Sequence, residues 1–139
     1  MKSASDIGHA GELFALFTIY MQGYHAQRSP NKRPYDLLLE VDSKIIKIQV
    51  KTSTHKDKNK KNGGYIYQLR RRTRTFVNQK AIHVDFKYKP EDFDIYAFVQ
   101  PELLKVAFIH RSQITTKYKK ILQPADYCLY PLKEALELV

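Results

Sequence analysis

Two carboxylates, an amide and an ammonium group are spaced along the first third of the chain so that they can meet in one site. They are Glu12, Asp36, Gln49 and Lys51. Carboxylate and amide oxygens can bind a divalent metal ion, and a lysine beside them can orient or deprotonate a water. These residue types therefore predict a metal-assisted reaction, provided that the fold brings the four side chains together.

The register of a predicted hairpin decides whether three of them meet. Segments 35–41 and 44–54 predict two strands, because apolar and polar residues alternate in the second. If residues 42 and 43 form a two-residue loop, paired positions sum to 85 and Asp36 lies opposite Gln49. Lys51 follows Gln49 on the same face at about 6.6 Å. A slip of one residue would scatter the three groups.

Glu12 belongs to a predicted helix from about Ser5 to Ala26, in which Ser5 caps the first turn. Glu12 shares a stripe with Leu16 and Ile19, which points its carboxylate inward, where burial is costly without a cation or donors. A metal ion shared with Asp36 would meet that need. The apolar residues that recur at helical spacing, and that we expect to face the core, are Leu13, Leu16, Phe17 and Tyr20.

Each of the four residues also has an ordinary structural interpretation. Glu12 can be a partly exposed acid near a helix N-terminus, where the macrodipole favours it. Asp36 can cap the turn before its strand. Gln49 and Lys51 can belong to the solvated polar face of a strand.

The remaining elements predict one α/β (α+β) domain over residues 1–139, with a mixed central sheet flanked by helices and the N-terminal helix first. The segment 73–94 gives no clear pattern. The other elements that we predict are strands at 65–72, 95–100 and 105–112, a helical turn at 114–122 and a short helix at 131–139.

Positive charge is concentrated in one part of the chain, which has a net charge of +10. The basic segment, residues 55–89, holds eleven of the 24 lysines and arginines but two of the 14 acids. Such asymmetry predicts a polyanionic partner, nucleic acid before an anionic membrane surface. The alternative is a solvated, solubilising charge run.

A lone cysteine, Cys128, excludes an internal disulfide and a zinc finger, and no apolar run is long enough to span a membrane. The first residues lack the order of a signal peptide. We therefore expect a cytoplasmic protein that is not membrane-bound.

DNA-binding residues are predicted within the basic segment. Arginines of strand 65–72 suit the bidentate recognition of guanine from a two-stranded ribbon in the major groove, and lysines of the preceding loop suit phosphate contacts. The predicted set is Lys56, Lys58, Lys60, Lys61, Arg70, Arg71, Arg72 and Arg74.

Glu12 on the first helix, Tyr35-Asp36 at the start of the hairpin and Gln49-Val50-Lys51 in its second strand together resemble the signature of the PD-(D/E)XK nuclease superfamily. The order of elements resembles it over about residues 5–112. Tyr35 replaces a frequent proline that does no chemistry. Gln49 replaces the usual acid, which removes one metal-binding charge. Within the superfamily, the length, the QVK strand and the basic hairpin are similar to the small homing endonucleases encoded in cyanobacterial tRNA group I introns.

The resemblance implies hydrolysis of DNA phosphodiesters at a specific double-stranded site. Mg²⁺, or another divalent cation, would be held by Asp36, Glu12 and the Val50 carbonyl. Lys51 would act on the attacking water or neutralise the phosphate, and the Gln49 oxygen would bind metal or align a water. Two other functions stay open: a Holliday-junction resolvase-like nuclease, and a noncatalytic DNA-binding protein in which Gln49 marks a lost active site.

A homo-oligomer is also predicted, because one short chain offers one catalytic centre and a double-strand cut needs two. The resemblance implies a tetramer. The apolar residues late in the chain that can form a contact between copies, or else close the core, are Tyr127, Leu129, Tyr130, Leu132, Leu136 and Leu138.

Overall fold

The computed structural model of the chain describes residues 3–30, 33–58 and 63–139, with the backbone alone at 71–76 and 82–87. Helix α1 (Ala4–Met21) begins with a capping box, in which Ser3 Oγ accepts from the Asp6 N–H at 3.1 Å and Asp6 accepts in return from the Ser3 N–H. The predicted cap at Ser5 and the predicted end at Ala26 are therefore wrong. The chain turns at Gly23, where φ is +88°, and leaves the following residues free to form a strand.

The expected buried stripe of α1 is wrong at Leu13, Phe17 and Tyr20, which are each at least half exposed, and confirmed at Leu16, which packs against the core. Gly11, Ala15 and Ile19 are the buried residues of the helix. Because Gly11 and Ala15 are small, the helix backbone approaches the sheet closely on this face. An apolar surface on α1 is left open to solvent.

Within the described residues, the strands that follow the helix are β1 (His25–Arg28), β2 (Leu37–Val41), β3 (Lys44–Thr52), β4 (Tyr65–Gln68), β5 (Arg70–Val77), β6 (Lys80–Lys87), β7 (Ile95–Gln100), β8 (Lys105–His110) and β9 (Lys119–Leu122). Five of them form the central sheet in the order β1-β2-β3-β7-β8. Its pairs are antiparallel except for β3 and β7, so the predicted mixed sheet is confirmed. Two 3₁₀ turns, Arg111–Gln113 and Pro124–Leu129, and helix α2 (Leu132–Leu136) complete the described elements.

The basic segment departs most from expectation. The single strand predicted at 65–72 is two strands that separate at Leu69: β4 pairs with β9, and β5 pairs with β6. The helical turn predicted at 114–122 is wrong, since β9 occupies its end. The segment 73–94, which gave no pattern, supplies most of a hairpin that turns at Asn78 and Gln79, both with positive φ.

Two cores lie on opposite faces of the central sheet. The first packs α1 and α2 against aliphatic side chains that include Ile48 and Val50. The second is aromatic and joins Tyr67, Phe98 and Tyr127 below β4 and β9, with the Tyr67 and Tyr127 hydroxyls 2.6 Å apart. Because side chains alternate along a strand, Gln49 and Lys51 of β3 point to the aromatic face.

The late apolar residues divide between core and surface. Tyr127 and Leu132 are buried and close the two cores, whereas Leu129 and Leu138 remain exposed. None of the described helices has the length and apolar character needed to cross a membrane.

Gly11 allows α1 to lie against β3, and this contact yields a testable prediction. A methyl group there would overlap the Thr52 side chain, while one at Gly8 would meet nothing within 4 Å. We expect Gly11→Ala to lower the free energy of unfolding by about 1–3 kcal/mol through overpacking, although alanine favours a helix. Gly8→Ala, the matched control, should raise it by up to about 1 kcal/mol. Urea unfolding of both variants measures the difference, and equal effects would contradict the close packing.

Candidate active site

The β2–β3 hairpin has the predicted register. Its ladder runs from the Leu37–Ile48 pair to the Val41–Lys44 pair, so paired positions sum to 85. The two loop residues, Asp42 and Ser43, have φ of 49° and 67°, which is the conformation of a type I′ turn. The loop thus fixes which residues of β3 lie beside the start of β2.

The ladder stops one residue before Asp36, and there the two strands separate. The Asp36 N–H donates to the Ile48 carbonyl at 2.8 Å, and the Asp36 carboxylate accepts from the Val50 N–H at 2.8 Å. A side chain therefore replaces the missing strand partner of β3. Because the N–H and C=O of one strand residue point to the same side, the Val50 carbonyl faces this opening too.

One cavity of about 270 Å³ occupies the opening, and we call it the active-site cavity. All the residues predicted for catalysis and metal binding line it: Glu12, Asp36, Gln49, Val50 and Lys51. Glu12 reaches it from α1 and Asp36 from the end of β2, while the other three come from β3. The structure therefore brings together residues separated by up to 39 positions in the sequence.

Asp36 and Glu12 form a close carboxylate pair. The pKa of Asp36 is raised from 3.8 to about 6, chiefly by burial and also by the charge and a hydrogen bond of the Glu12 carboxylate, while the Val50 N–H and the Lys51 charge act to lower it. Two acids in this arrangement gain from a cation between them. In the described part of the chain no three His, Cys, Asp or Glu residues form a metal-binding group. The two carboxylates with the Val50 carbonyl nevertheless give hard oxygen donors that fit Mg²⁺.

Lys51 is held beside Asp36 by residues of the aromatic face. Its ammonium donates to the Tyr88 hydroxyl at 3.0 Å and to the Arg70 carbonyl at 3.4 Å, and it lies 4.8 Å from the centre of the Tyr88 ring. Burial lowers the pKa of Lys51 to about 8, although the Asp36 charge acts in the opposite direction. A fraction of this amine is therefore neutral near physiological pH and can accept a proton.

Gln49 is buried in the same cavity, with its amide nitrogen 3.4 Å from the Val50 carbonyl oxygen. A neutral side chain adds no charge to a site that already holds two acids and a lysine. Its carbonyl oxygen remains available as a neutral ligand.

Two contacts at the site involve residues that the sequence analysis missed. Arg28 forms an ion pair with Glu12 at 2.6 Å and also contacts His9 Nδ1 at 2.8 Å. Arg28 lies on β1, which was expected to be partly helix, and Tyr88 lies in the segment without a clear pattern, so no sequence signal indicated either residue. A cavity of about 400 Å³ beside Asp36 contains Arg28 and Arg33 and extends the site toward solvent.

The predicted DNA-binding residues fall into three groups. Lys56 and Lys58 are exposed, as phosphate contacts require. Arg70 is half-buried with its guanidinium 4.8 Å from the centre of the Tyr118 ring, so it lies near Lys51. The residues for which no side-chain position can be given are Arg71, Arg72 and Arg74, whose backbone belongs to β5, and Lys60 and Lys61, which lie outside the described residues.

The sequence profile of the PD-(D/E)XK endonuclease family matches residues 2–123. The chain therefore belongs to this family and is a nuclease. Among solved structures it is similar to a bacterial homing endonuclease, I-Ssp6803I, with a TM-score of 0.74 and 24% sequence identity over 99% of this chain and 93% of that one. At this identity the likeness establishes the fold, and the PD-(D/E)XK fold predicted from the sequence is confirmed. No curated protein sequence matches the chain.

The raised pKa of Asp36 predicts a pH-dependent loss of stability. The folded protein keeps a proton on Asp36 up to about pH 6, whereas the unfolded chain releases it near 3.8. Without divalent metal, the free energy of unfolding should therefore fall by about 1–3 kcal/mol between pH 4 and 6 and stay lower above that range. Asp36→Asn can still accept from the Val50 N–H, so it should remove this fall and be more stable than the wild type at pH 7.

Denaturant unfolding in EDTA at several pH values tests the effect. The exposed turn residue Asp42 provides a control, since Asp42→Asn makes the same chemical change outside the cavity. If the fall persists unchanged in Asp36→Asn, another group is responsible.

Proposed function

We propose that this nuclease is a metal-dependent endonuclease of the homing type, which cuts double-stranded DNA at a specific site. One observation carries the proposal: two carboxylates, a strand carbonyl and a half-buried lysine line a single cavity. In this proposal residues 1–139 act as one nuclease domain, with 55–89 as its DNA-binding segment. The bacterial neighbour described as a homing endonuclease supports the homing type, and the exposed lone Cys128 suits the reducing cytoplasm.

Each residue of the active-site cavity has a role in this reaction. Asp36, Glu12 and the Val50 carbonyl would hold Mg²⁺ or another divalent cation, which supplies Lewis-acid stabilisation of the developing phosphate charge when bound. The Val50 N–H fixes the Asp36 carboxylate at 2.8 Å. Arg28 neutralises part of the acid charge until a cation arrives, because it pairs with Glu12.

Lys51 acts on the water or on the phosphate. In its neutral form it accepts a proton from the attacking water, and in its charged form it neutralises a phosphate oxygen. Tyr88 orients the amine through its hydroxyl in either state. The Gln49 oxygen aligns a water without adding negative charge next to the phosphate.

DNA recognition is assigned to the ribbon formed by β5 and β6. A two-stranded antiparallel ribbon fits the major groove, and β5 begins at Arg70, whose carbonyl contacts the Lys51 ammonium. A base contact on the ribbon would thereby be linked to the catalytic lysine through a short stretch of chain.

Gln49 in place of an acid favours a second candidate, a noncatalytic DNA-binding protein. The half-buried Lys51 and Asp36 in one cavity argue against it, because a binding protein gains nothing from two partly desolvated charges there. A cleavage assay separates the two functions.

Substitution of either central residue should abolish cleavage and leave DNA binding nearly intact. We expect Asp36→Ala and Lys51→Ala to lose cleavage by at least about 10³-fold, because metal binding and water activation fail. Lys47→Ala is a matched control on the same strand, since its ammonium donates to the Glu91 carbonyl outside the cavity. The assay incubates each variant with Mg²⁺ and a random-sequence DNA library and maps the cut ends.

The wild-type pattern of ends decides between the functions. Recurrent discrete ends support a site-specific enzyme, cutting confined to junctions supports a resolvase, and no cutting supports the noncatalytic protein.

Gln49→Glu should keep some cleavage activity in the same assay, because it restores the acid usual in the family.

We also infer that at least two copies share one DNA site, and that the assembly is a homotetramer. A double-strand cut needs two catalytic centres related by the dyad of the duplex. The exposed apolar surface of α1 supports an interface: Leu13, Phe17, Tyr20 and Met21 are 50–72% exposed.

Sedimentation equilibrium at micromolar concentration, with and without DNA, tests the assembly. The wild type should sediment as an oligomer in at least one condition, and Phe17→Lys should shift it toward smaller species because it places a charge in the apolar surface. Val77→Lys, at an apolar position that is 50% exposed at the end of β5, is the control. A wild-type monomer in both conditions would refute the assembly.

A further inference from the structure

A further cavity, of about 250 Å³, lies on the aromatic face of the sheet, and we call it the cationic cavity. Its aromatic wall consists of Tyr88, Phe93 and Tyr96. Its charged residues are Lys89, Arg111 and Lys117, and no acid among the side chains that the structure describes lines it. Three cations of like sign around one space repel each other and favour an anion within it.

Arg111 is the best-placed of the three cations. It directly follows β8, and its backbone N–H donates to the Asp94 carbonyl at 3.0 Å, so its position is fixed by the sheet. Its Nε is buried and has no hydrogen-bond partner in the part of the chain that the structure describes. A buried guanidinium nitrogen without a partner is costly, which indicates a missing acceptor.

Lys89 and Lys117 leave the cavity positively charged. Both are exposed, and neither forms an ion pair with a described residue. The nearby acids do not line the cavity: Asp92 accepts from the Lys89 N–H at 2.7 Å and Asp94 accepts from the Lys47 N–H at 2.9 Å. Among the described side chains the cavity lining therefore carries positive charge without an acid in contact with it.

Tyr88 connects this cavity to the active-site cavity. Its ring lines the cationic cavity, packs edge-on against Phe93 with ring centres 5.2 Å apart, and carries the hydroxyl that lies 3.0 Å from Lys51 Nζ. An anion in the cationic cavity would therefore sit beside the residue that orients the catalytic lysine.

We propose that the cationic cavity binds a backbone phosphate of the DNA strand near the phosphate that is cut, with Arg111 as its principal ligand. This inference rests on the proposed function, since it requires a DNA duplex at the active site. The bound phosphate would satisfy Arg111 Nε and hold the strand in register with Lys51 through Tyr88. Its contribution is independent of sequence, unlike a base contact from the ribbon.

The test measures binding of a labelled nonspecific duplex by fluorescence anisotropy across a salt series, in EDTA, with a gel to verify that the duplex stays intact. We expect Arg111→Gln to weaken binding about tenfold at fixed salt. The slope of log K against log salt should fall in magnitude by about 0.9, the value for one lost phosphate contact. Lys117→Gln, at an exposed position that does not affect folding, should also reduce the slope.

Lys133→Gln is the matched control, because Lys133 is an exposed cation on α2, which packs on the opposite face of the sheet. It should change neither affinity nor slope. If Arg111→Gln and Lys117→Gln both behave like Lys133→Gln, the phosphate site is refuted. Weaker binding by Arg111→Gln with an unchanged slope of log K against log salt would also refute it, because the group bound in the cavity would then be neutral and not a phosphate. Failure of the wild type itself to bind duplex would instead refute the proposed function, and this inference with it.

Discussion

The hydrogen bond from the Val50 N–H to the Asp36 carboxylate is the contact on which the site depends. It lies where β2 and β3 separate. At 2.8 Å, the Asp36 carboxylate gives the Val50 N–H an acceptor that β2 no longer supplies. Because the bond satisfies a buried backbone donor, losing it costs about 1–3 kcal/mol. It also fixes the carboxylate in the opening toward which the Val50 carbonyl points. The same contact thus completes the pairing of β3 and positions a carboxylate oxygen that the proposed function assigns to metal binding.

The site stores unfavourable electrostatic energy that the rest of the fold offsets. Burial raises the pKa of Asp36 to about 6 and lowers that of Lys51 to about 8, so each charged form is disfavoured where it is needed. Arg28 compensates Glu12 from β1. The charged groups of the site do not stabilise the fold, whereas the aliphatic core under α1 does. Gly11 brings the helix close enough to the sheet to place Glu12 beside Asp36. Activity and stability are therefore opposed at this site.

The two faces of the central sheet divide the work. The helix-covered face brings Glu12 to the cavity from α1, whereas the aromatic face holds Lys51 through Tyr88 and leads to the ribbon. Alternation of side chains along β3 makes this division possible, since consecutive residues serve the core and the site in turn. In this arrangement a duplex held by the ribbon and by Arg111 would approach the catalytic groups from the aromatic face.

Short-range patterns in the sequence were enough to identify the hairpin, its loop and its register, because a two-residue turn and the alternation of β3 leave little freedom. From that register alone, Asp36 and Gln49-Val50-Lys51 converge; together with Glu12 and the order of elements they resemble the family. Tertiary structure alone decided which stripe of α1 is buried, since the close approach of the helix to β3 at Gly11 buries the face with Ala15 and leaves Phe17 exposed. Contacts between distant elements, such as Arg28 with Glu12 and Tyr88 with Lys51, likewise arise only from packing. No local periodicity encodes them, because their partners lie 16 and 37 residues away along the chain.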